Sequence, residues 1–92
     1  MRKVAEVGDT IVLKSFCFSN KGGGTGLSNW DHDERFVGKA TVKVTKEWED
    51  YECGQRGWGT PDSSDKNLIA YLKRNAGKQI IYWSEFDIIE IK

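Results

Sequence analysis

The sequence lacks a net charge and has no long apolar run. Fourteen Lys and Arg residues are balanced by fourteen Asp and Glu residues in a chain of 92. A chain without net charge has no long-range field that would draw it to duplex nucleic acid or to an anionic membrane. No apolar run approaches the ~20 residues of a membrane span, and the first residues contain no apolar run that would serve as a signal peptide. We therefore expect a cytoplasmic protein that does not bind membranes.

Cysteine and histidine are also scarce: the chain has Cys17, Cys53 and a single histidine, His32. One disulfide is arithmetically possible, but a chain without a secretory signal more often keeps its thiols reduced, and the two cysteines do not form a Cys-x-x-Cys zinc motif. No second histidine is present to complete a transition-metal site. Asp31 and Asp33 are weak candidates as carboxylate ligands of a hard cation such as calcium or magnesium, but a solvated acidic turn explains them better, and we predict no metal site. We expect no cofactor.

Alternation of apolar and polar residues predicts several β-strands. From Asp9 to Phe18, Ile11 and Leu13 share a face that is predicted to be the core side, whereas Phe16 and Phe18 share the opposite face. The segment 36–48 alternates alanine and valine with lysine and threonine, which is typical of a half-buried antiparallel strand. A third strand is predicted over 51–59. The closing run 80–91 predicts two short strands joined by one tight helical turn.

A glycine-rich loop and one helix complete the predicted elements. The loop covers 19–29 and has four glycines in the five positions 22–26, so we expect it to be flexible. The helix covers about residues 64–76. Its start is marked by the capping oxygens of 61–65, and its end by two basic residues and then Gly77 as the C-terminal cap.

This order of elements resembles the Src-homology-3-like small barrels. The shared layout is a first strand, a long loop, two central strands, an inserted helix and a last pair of strands split at 83–86. It covers most of the chain and implies a mainly β fold: one small antiparallel barrel over 1–92, with about five strands and one inserted helix. The glycine-rich, tryptophan-rich and charge-balanced composition also resembles small accessory proteins of tailed bacteriophages and mobile gene cassettes.

Aromatic residues are more numerous than one small core needs, with four tryptophans, three tyrosines and four phenylalanines. Tryptophan, tyrosine and arginine dominate the binding energy of protein interfaces. We therefore expect a protein-interaction module, such as an inhibitor or adaptor encoded by a phage or mobile element. In the resembling barrels the segments that correspond to 19–35 and 48–58 form one surface. The predicted binding residues are Trp30, Trp48, Tyr51, Arg56 and Trp58.

Nucleic-acid binding is the main alternative function. The exposed aromatics would then stack on bases, and Lys39, Lys43 and Lys46 would contact phosphates. The absence of net charge disfavours this alternative, because phosphate contacts normally supply most of the affinity. A purely structural alternative also remains for the tryptophans: Trp48 and Trp83 would plug the two ends of the barrel.

A small hydrolase or a metal-dependent enzyme is the second alternative. His32 stands between carboxylates, but on an extended chain it points away from Asp31 and Asp33. Cys53 would need a histidine beside it to act as a nucleophile. The glycine-rich loop lacks the Gly-Lys-Ser/Thr ending of a phosphate-binding loop. We therefore predict no enzymatic activity.

Overall fold

The computed structural model describes residues 4–20, 33–50 and 54–92. In chain order these residues form strands β1 (Thr10–Asn20), β2 (Asp33–Asp50) and β3 (Gly54–Pro61), helix α1 (Lys66–Asn75), strand β4 (Ala76–Ser84), a 3₁₀ helix (Glu85–Asp87) and strand β5 (Ile88–Ile91). This is the predicted order, with one helix inserted before the last two strands and one helical turn between those strands.

The strands form an antiparallel barrel. β2 pairs with β3, β3 with β4 and β4 with β1, and β1 pairs back with β2 to close four strands into a ring. β5 is the additional strand, and it pairs with the first half of β1 through Ile11↔Ile91 and Leu13↔Ile88. β4 pairs with the second half of β1. The predicted small antiparallel barrel of about five strands with one inserted helix is confirmed.

The core is filled from inside the barrel, and β1 supplies four of its fully buried side chains. These are Ile11, Leu13, Phe16 and Phe18. The placement of the two phenylalanines differs from the prediction, which put them on the face opposite Ile11 and Leu13. The strand pair is irregular at this point: Leu13 pairs with Ala40 and Ser15 with Val37, so β2 has one extra residue opposite β1. Such a bulge bends the strand pair and redirects its side chains.

Helix α1 is anchored to the barrel through Asp65. One carboxylate oxygen, Oδ1, accepts a hydrogen bond from the Leu68 N–H at 3.1 Å and so caps the helix. The other, Oδ2, accepts from the N–H of Thr41 in β2 at 3.0 Å. Leu68 and Leu72 project from α1 into the core. Among the described residues, no helix is long and apolar enough to cross a lipid bilayer.

The helix ends earlier than the sequence predicts. Its last residue is Asn75, and Ala76 already has an extended backbone and begins β4. The Ala76 N–H bonds to the Leu72 carbonyl, and the Asn75 side-chain amide donates to the Tyr71 carbonyl at 2.8 Å. These bonds satisfy the last turn, so a glycine cap at position 77 is not needed.

The first strand is longer than predicted. It continues to Asn20, so the first two residues of the predicted loop 19–29 are paired. Asn20 pairs with Ala76 of β4, and its side-chain amide donates to the Glu34 carboxylate at 2.9 Å. Residues 21–29 of that predicted loop lie outside the described part of the chain.

Gln55 of β3 ties the N-terminal segment to the barrel. Its side chain is buried, and its Oε1 accepts hydrogen bonds from the N–H groups of Val4 and Ala5, both at 2.8 Å. Its Nε2 donates to the Ala5 carbonyl and to the Glu47 carboxylate. Ala5 is thereby held inside the core although it precedes the first strand. Every polar atom of this buried amide is satisfied, as burial requires.

Candidate functional site

Three aromatic side chains on adjacent strands form a cluster outside the barrel. Trp48 of β2 and Trp58 of β3 meet edge-to-face, with ring centroids 5.7 Å apart. Trp58 meets Tyr82 of β4 in the same way at 5.9 Å. We call Trp48, Trp58 and Tyr82 the outer aromatic cluster. None of the three packs against the hydrophobic core among the described residues, so the cluster is separate from it.

The pairing of β3 explains why Trp58 faces outward. Along β3 the buried positions are Gln55, Gly57 and Gly59, and the intervening residues face outward. A Cβ atom added at Gly57 would lie 2.1 Å from the Lys46 carbonyl oxygen and 2.5 Å from a ring carbon of Trp83. Glycine at this inner position therefore lets Trp83 and β2 approach β3 closely. Trp58 is left on the other face.

A bulge in β2 brings Lys46 and Trp48 to the same outer face. Val44 faces inward and pairs with Gly59, but the next pair along the ladder is Lys46↔Trp58, so β2 has one extra residue there. Without it, simple alternation from Val44 would turn Lys46 and Trp48 inward. The Lys46 ammonium nitrogen consequently lies 4.9 Å from the ring centroid of Trp58. At that distance a cation is attracted to the face of an indole ring.

The outer aromatic cluster is only partly covered by protein. Tyr82 is 42% exposed, whereas Trp48 and Trp58 are half-buried. The indole Nε1 of Trp58 is itself buried and has no hydrogen-bond partner within the described parts of the chain. Buried indole N–H groups usually find an acceptor.

The charged residues on the cluster's face include Lys46 and Arg56. Both are exposed, and Arg56 pairs with Trp48 across the β2–β3 ladder. Glu49, the next residue along β2, pairs with the buried Gln55 and so faces the other side of the strand. An exposed arginine beside half-exposed aromatic rings is typical of a protein-binding surface.

The structure brings together three of the five predicted binding residues. Trp48, Arg56 and Trp58 share the outer face, where Trp58 is half-buried. Trp30 and Tyr51 lie outside the described residues.

The three lysines predicted to contact phosphate do not form one group. Lys46 lies over Trp58, and Lys43 is exposed on β2 between its partners Thr10 and Thr60. Lys39 instead lines a groove beside α1. Seven residues of strand separate Lys39 from Lys46, which is a distance of roughly 23 Å at ~3.3 Å per residue. The three lysines therefore do not form a single phosphate-binding strip.

The predicted cation ligands lie largely outside the description. Asp31 is not among the described residues, and Asp33 is described only as part of β2. Within residues 4–20, 33–50 and 54–92, no group of three or more metal-ligating side chains is close enough to hold an ion. Cys17 is half-buried with a free thiol, and the Arg35 guanidinium donates to its sulfur at 3.4 Å and to Asp87 at 3.3 Å.

Tyr82 belongs to the cluster but is not among the predicted binding residues. Its neighbours Ile81 and Trp83 are both buried, and Tyr82 between them faces outward. Strict alternation in the closing strand would have predicted this orientation. The signal was therefore present in the sequence, but the register Trp58↔Tyr82 that joins it to the tryptophans appears only in the structure.

Comparisons of the chain with protein-family models, with curated proteins and with solved structures found no match. Function is therefore inferred from the chain's own residues.

Proposed function

We propose that the protein is a non-enzymatic protein-interaction module that binds a partner protein through the outer aromatic cluster. The observation that supports this most directly is the position of Trp48, Trp58 and Tyr82, which pack on one another outside the barrel and not against its core. Aromatic side chains bring large contact areas at low entropic cost, and with arginine they dominate interface hot spots. In this proposal the protein acts in the cytoplasm as an adaptor or inhibitor that is encoded by a phage or mobile element.

The arrangement of the rings favours protein over nucleic acid. A base stacks on an open ring face, but Trp58 already contacts Lys46, Trp48 and Tyr82. The zero net charge removes the general attraction to phosphate, and Lys39 lies away from the cluster. Nucleic-acid binding remains the alternative outcome of the test, because Lys46 and Arg56 are exposed beside the rings.

The test is affinity capture from bacterial lysate, with and without nuclease, followed by mass spectrometry. The tag is placed at the C-terminus because Val4 and Ala5 are held by Gln55. Wild type is compared with Tyr82→Ala, which removes a 42% exposed ring from the cluster. The matched control is Ile89→Ala, which removes a 55% exposed apolar side chain from β5, a strand that pairs with neither β2 nor β3.

We expect wild type and Ile89→Ala to retain the same protein after nuclease and Tyr82→Ala to lose it, with all three melting within a few degrees of one another. Equal retention by Tyr82→Ala contradicts the proposed site. Recovery that disappears with nuclease supports the nucleic-acid alternative. In that case tryptophan fluorescence should respond to a single-stranded oligonucleotide at low salt and lose the response as salt rises.

A further inference from the structure

A groove runs between helix α1 and one edge of strand β2, away from the outer aromatic cluster. Its volume is about 430 Å³, within the ordinary range of ligand sites. We call it the helix-edge groove. Its walls include Phe36 and Lys39 from β2 and Asn67, Ala70, Tyr71 and Arg74 from α1.

The edge of β2 that borders this groove has no strand partner among the described residues. β1 pairs with the opposite edge of β2 from Asp33 onward. β3 pairs with β2 only from Val42 to Asp50, beginning at Val42↔Pro61. The next backbone groups toward the N-terminus of β2 are occupied: the Thr41 carbonyl accepts from the Asp62 N–H and the Thr41 N–H donates to Asp65. The edge from Glu34 to Ala40 is left unpaired. An unpaired strand edge is a template for adding another strand.

The aromatic floor of the groove is shaped by a glycine. Gly38 has a φ of +150° at the bulge between β1 and β2, and a Cβ there would lie 3.2 Å from the ring of Phe36. The Phe36 ring instead stacks on Phe16 at 5.0 Å and meets the Tyr71 ring edge-on at 4.9 Å. Both Phe36 and Tyr71 are half-buried, so part of their apolar surface is still open to the groove.

The charge of the groove is positive. Lys39 and Arg74 are exposed on opposite walls, and neither forms an ion pair within the described residues. Asp65 is the acidic residue of the lining, and both of its carboxylate oxygens already accept backbone hydrogen bonds, from Leu68 and Thr41. Two cations that form no ion pair within residues 4–20, 33–50 and 54–92, beside an apolar surface, complement a segment that carries both carboxylates and apolar side chains.

We propose that the helix-edge groove binds an extended acidic segment of a partner protein, which adds a strand to the free edge of β2. Its backbone pairs with β2 between Glu34 and Ala40. Alternate apolar side chains enter the groove against Phe36 and Tyr71, and its carboxylates contact Lys39 and Arg74. This site does not depend on the outer aromatic cluster, so either proposal can fail without the other.

The test uses synthetic ligands and not a lysate. A phage-displayed library of random nonapeptides is panned on the full chain after counter-selection on Ala70→Trp, which fills the groove from an exposed helix position and leaves its charges unchanged. Enriched peptides are synthesised, and their dissociation constants are measured by titration calorimetry. We expect peptides with Asp or Glu among alternating apolar residues, weakened at least about tenfold by Lys39→Glu or Arg74→Glu.

The matched control is Lys46→Glu, which makes the same charge change beside the outer aromatic cluster and should leave peptide affinity unchanged. Peptides with N-methyl groups on alternate backbone nitrogens separate strand addition from side-chain docking. One alternating set should abolish binding and the other should be tolerated, because only one set of N–H groups faces β2. The proposal is overturned if no peptide is enriched, if Lys39→Glu and Arg74→Glu leave affinity unchanged, or if both methylated sets bind equally.

Discussion

Trp58 and Trp83 lie on neighbouring strands of the same barrel, but they belong to different regions. Trp83 faces inward, is 2% exposed, and donates its indole N–H to the Trp58 carbonyl at 3.0 Å. Trp58 faces outward, is half-buried, and its indole N–H has no acceptor within the described chain. The inner ring is fully used by the fold. The outer ring contributes less to the fold, because its indole N–H makes no hydrogen bond among the described residues.

The two regions also differ in what surrounds them. The inner region is closely packed: Trp83 lies across Gly57, where no Cβ fits. The outer region consists of three rings that contact one another and an ammonium group above one of them. Substitutions inside should therefore unfold the domain, and substitutions outside should spare it.

The largest effect is expected for Trp83→Ala, which should lower the free energy of unfolding by about 3 to 5 kcal/mol. Gly57→Ala should be comparably severe, because its Cβ would meet the Lys46 carbonyl and the Trp83 ring. Urea unfolding followed by circular dichroism measures both. The control is Phe86→Ala, which removes a 67% exposed ring and should change stability by less than about 0.5 kcal/mol. A mild effect of Gly57→Ala would mean that β3 is not packed as closely as described.

A second interior prediction concerns the buried amide of Gln55. Gln55→Ala leaves the Val4 and Ala5 N–H groups without their acceptor and should cost about 1 to 3 kcal/mol. Hydrogen exchange at the Ala5 amide should accelerate more than exchange in β1. Glu49→Ala, at an exposed position, is the control. Unchanged protection of the Ala5 amide would show that Gln55 does not hold the N-terminal segment.

Substitutions at the junction between α1 and the barrel should lower the stability by an intermediate amount. Asp65→Ala removes the helix cap and the acceptor for Thr41, with an expected cost of about 1 to 2 kcal/mol. Asp65→Asn should lose less, because its amide retains one acceptor oxygen for one of the two donors. Thermal unfolding of the three proteins should therefore rank wild type, Asp65→Asn and Asp65→Ala from highest to lowest. Equal melting of Asp65→Ala and wild type would contradict the anchoring of α1 to β2.

The smallest effect is expected at the exposed turn before α1. Hydrogen bonds from the Ser64 side chain and backbone lower the pKa of Asp62 below its ordinary value of 3.8, with help from the charges of Lys43 and Lys92. A carboxyl group with a lowered folded-state pKa stabilises the fold above its unfolded pKa, and that contribution is lost as the pH falls through the folded pKa. The melting temperatures of wild type and Asp62→Asn should therefore converge below about pH 4. A difference that stays constant across that range would exclude the carboxylate as its cause.

The sequence predicts the strand order, the inserted helix and the small barrel because alternation and capping residues are local properties. It does not predict which face two side-chain pairs take. Phe16 and Phe18 enter the core where β1 bends opposite one bulge of β2, and Lys46 and Trp48 face outward because they follow a second bulge in β2. A bulge depends on the pairing of residues far apart in sequence, so simple parity is lost there.

The candidate site is predicted only in part, because its contacts also depend on the pairing of residues far apart in sequence. Trp58 and Arg56 are predicted binding residues, and both lie on the outer face. Tyr82 was missed, because its contact with Trp58 depends on the β3–β4 register. The helix-edge groove has no counterpart in the sequence, since it arises where β3 fails to extend along β2.

The most direct test of the separation between inner and outer regions is a comparison of Trp58→Phe with Trp83→Phe in urea unfolding at neutral pH. Trp83→Phe breaks the bond to the Trp58 carbonyl and leaves space in the core, whereas Trp58→Phe removes a donor that has no acceptor in the described part of the chain. Trp83→Phe should be the more destabilising by at least about 1 kcal/mol. Equal losses in the two variants would show that Trp58 belongs to the core and would contradict the outer aromatic cluster as a surface kept for a partner.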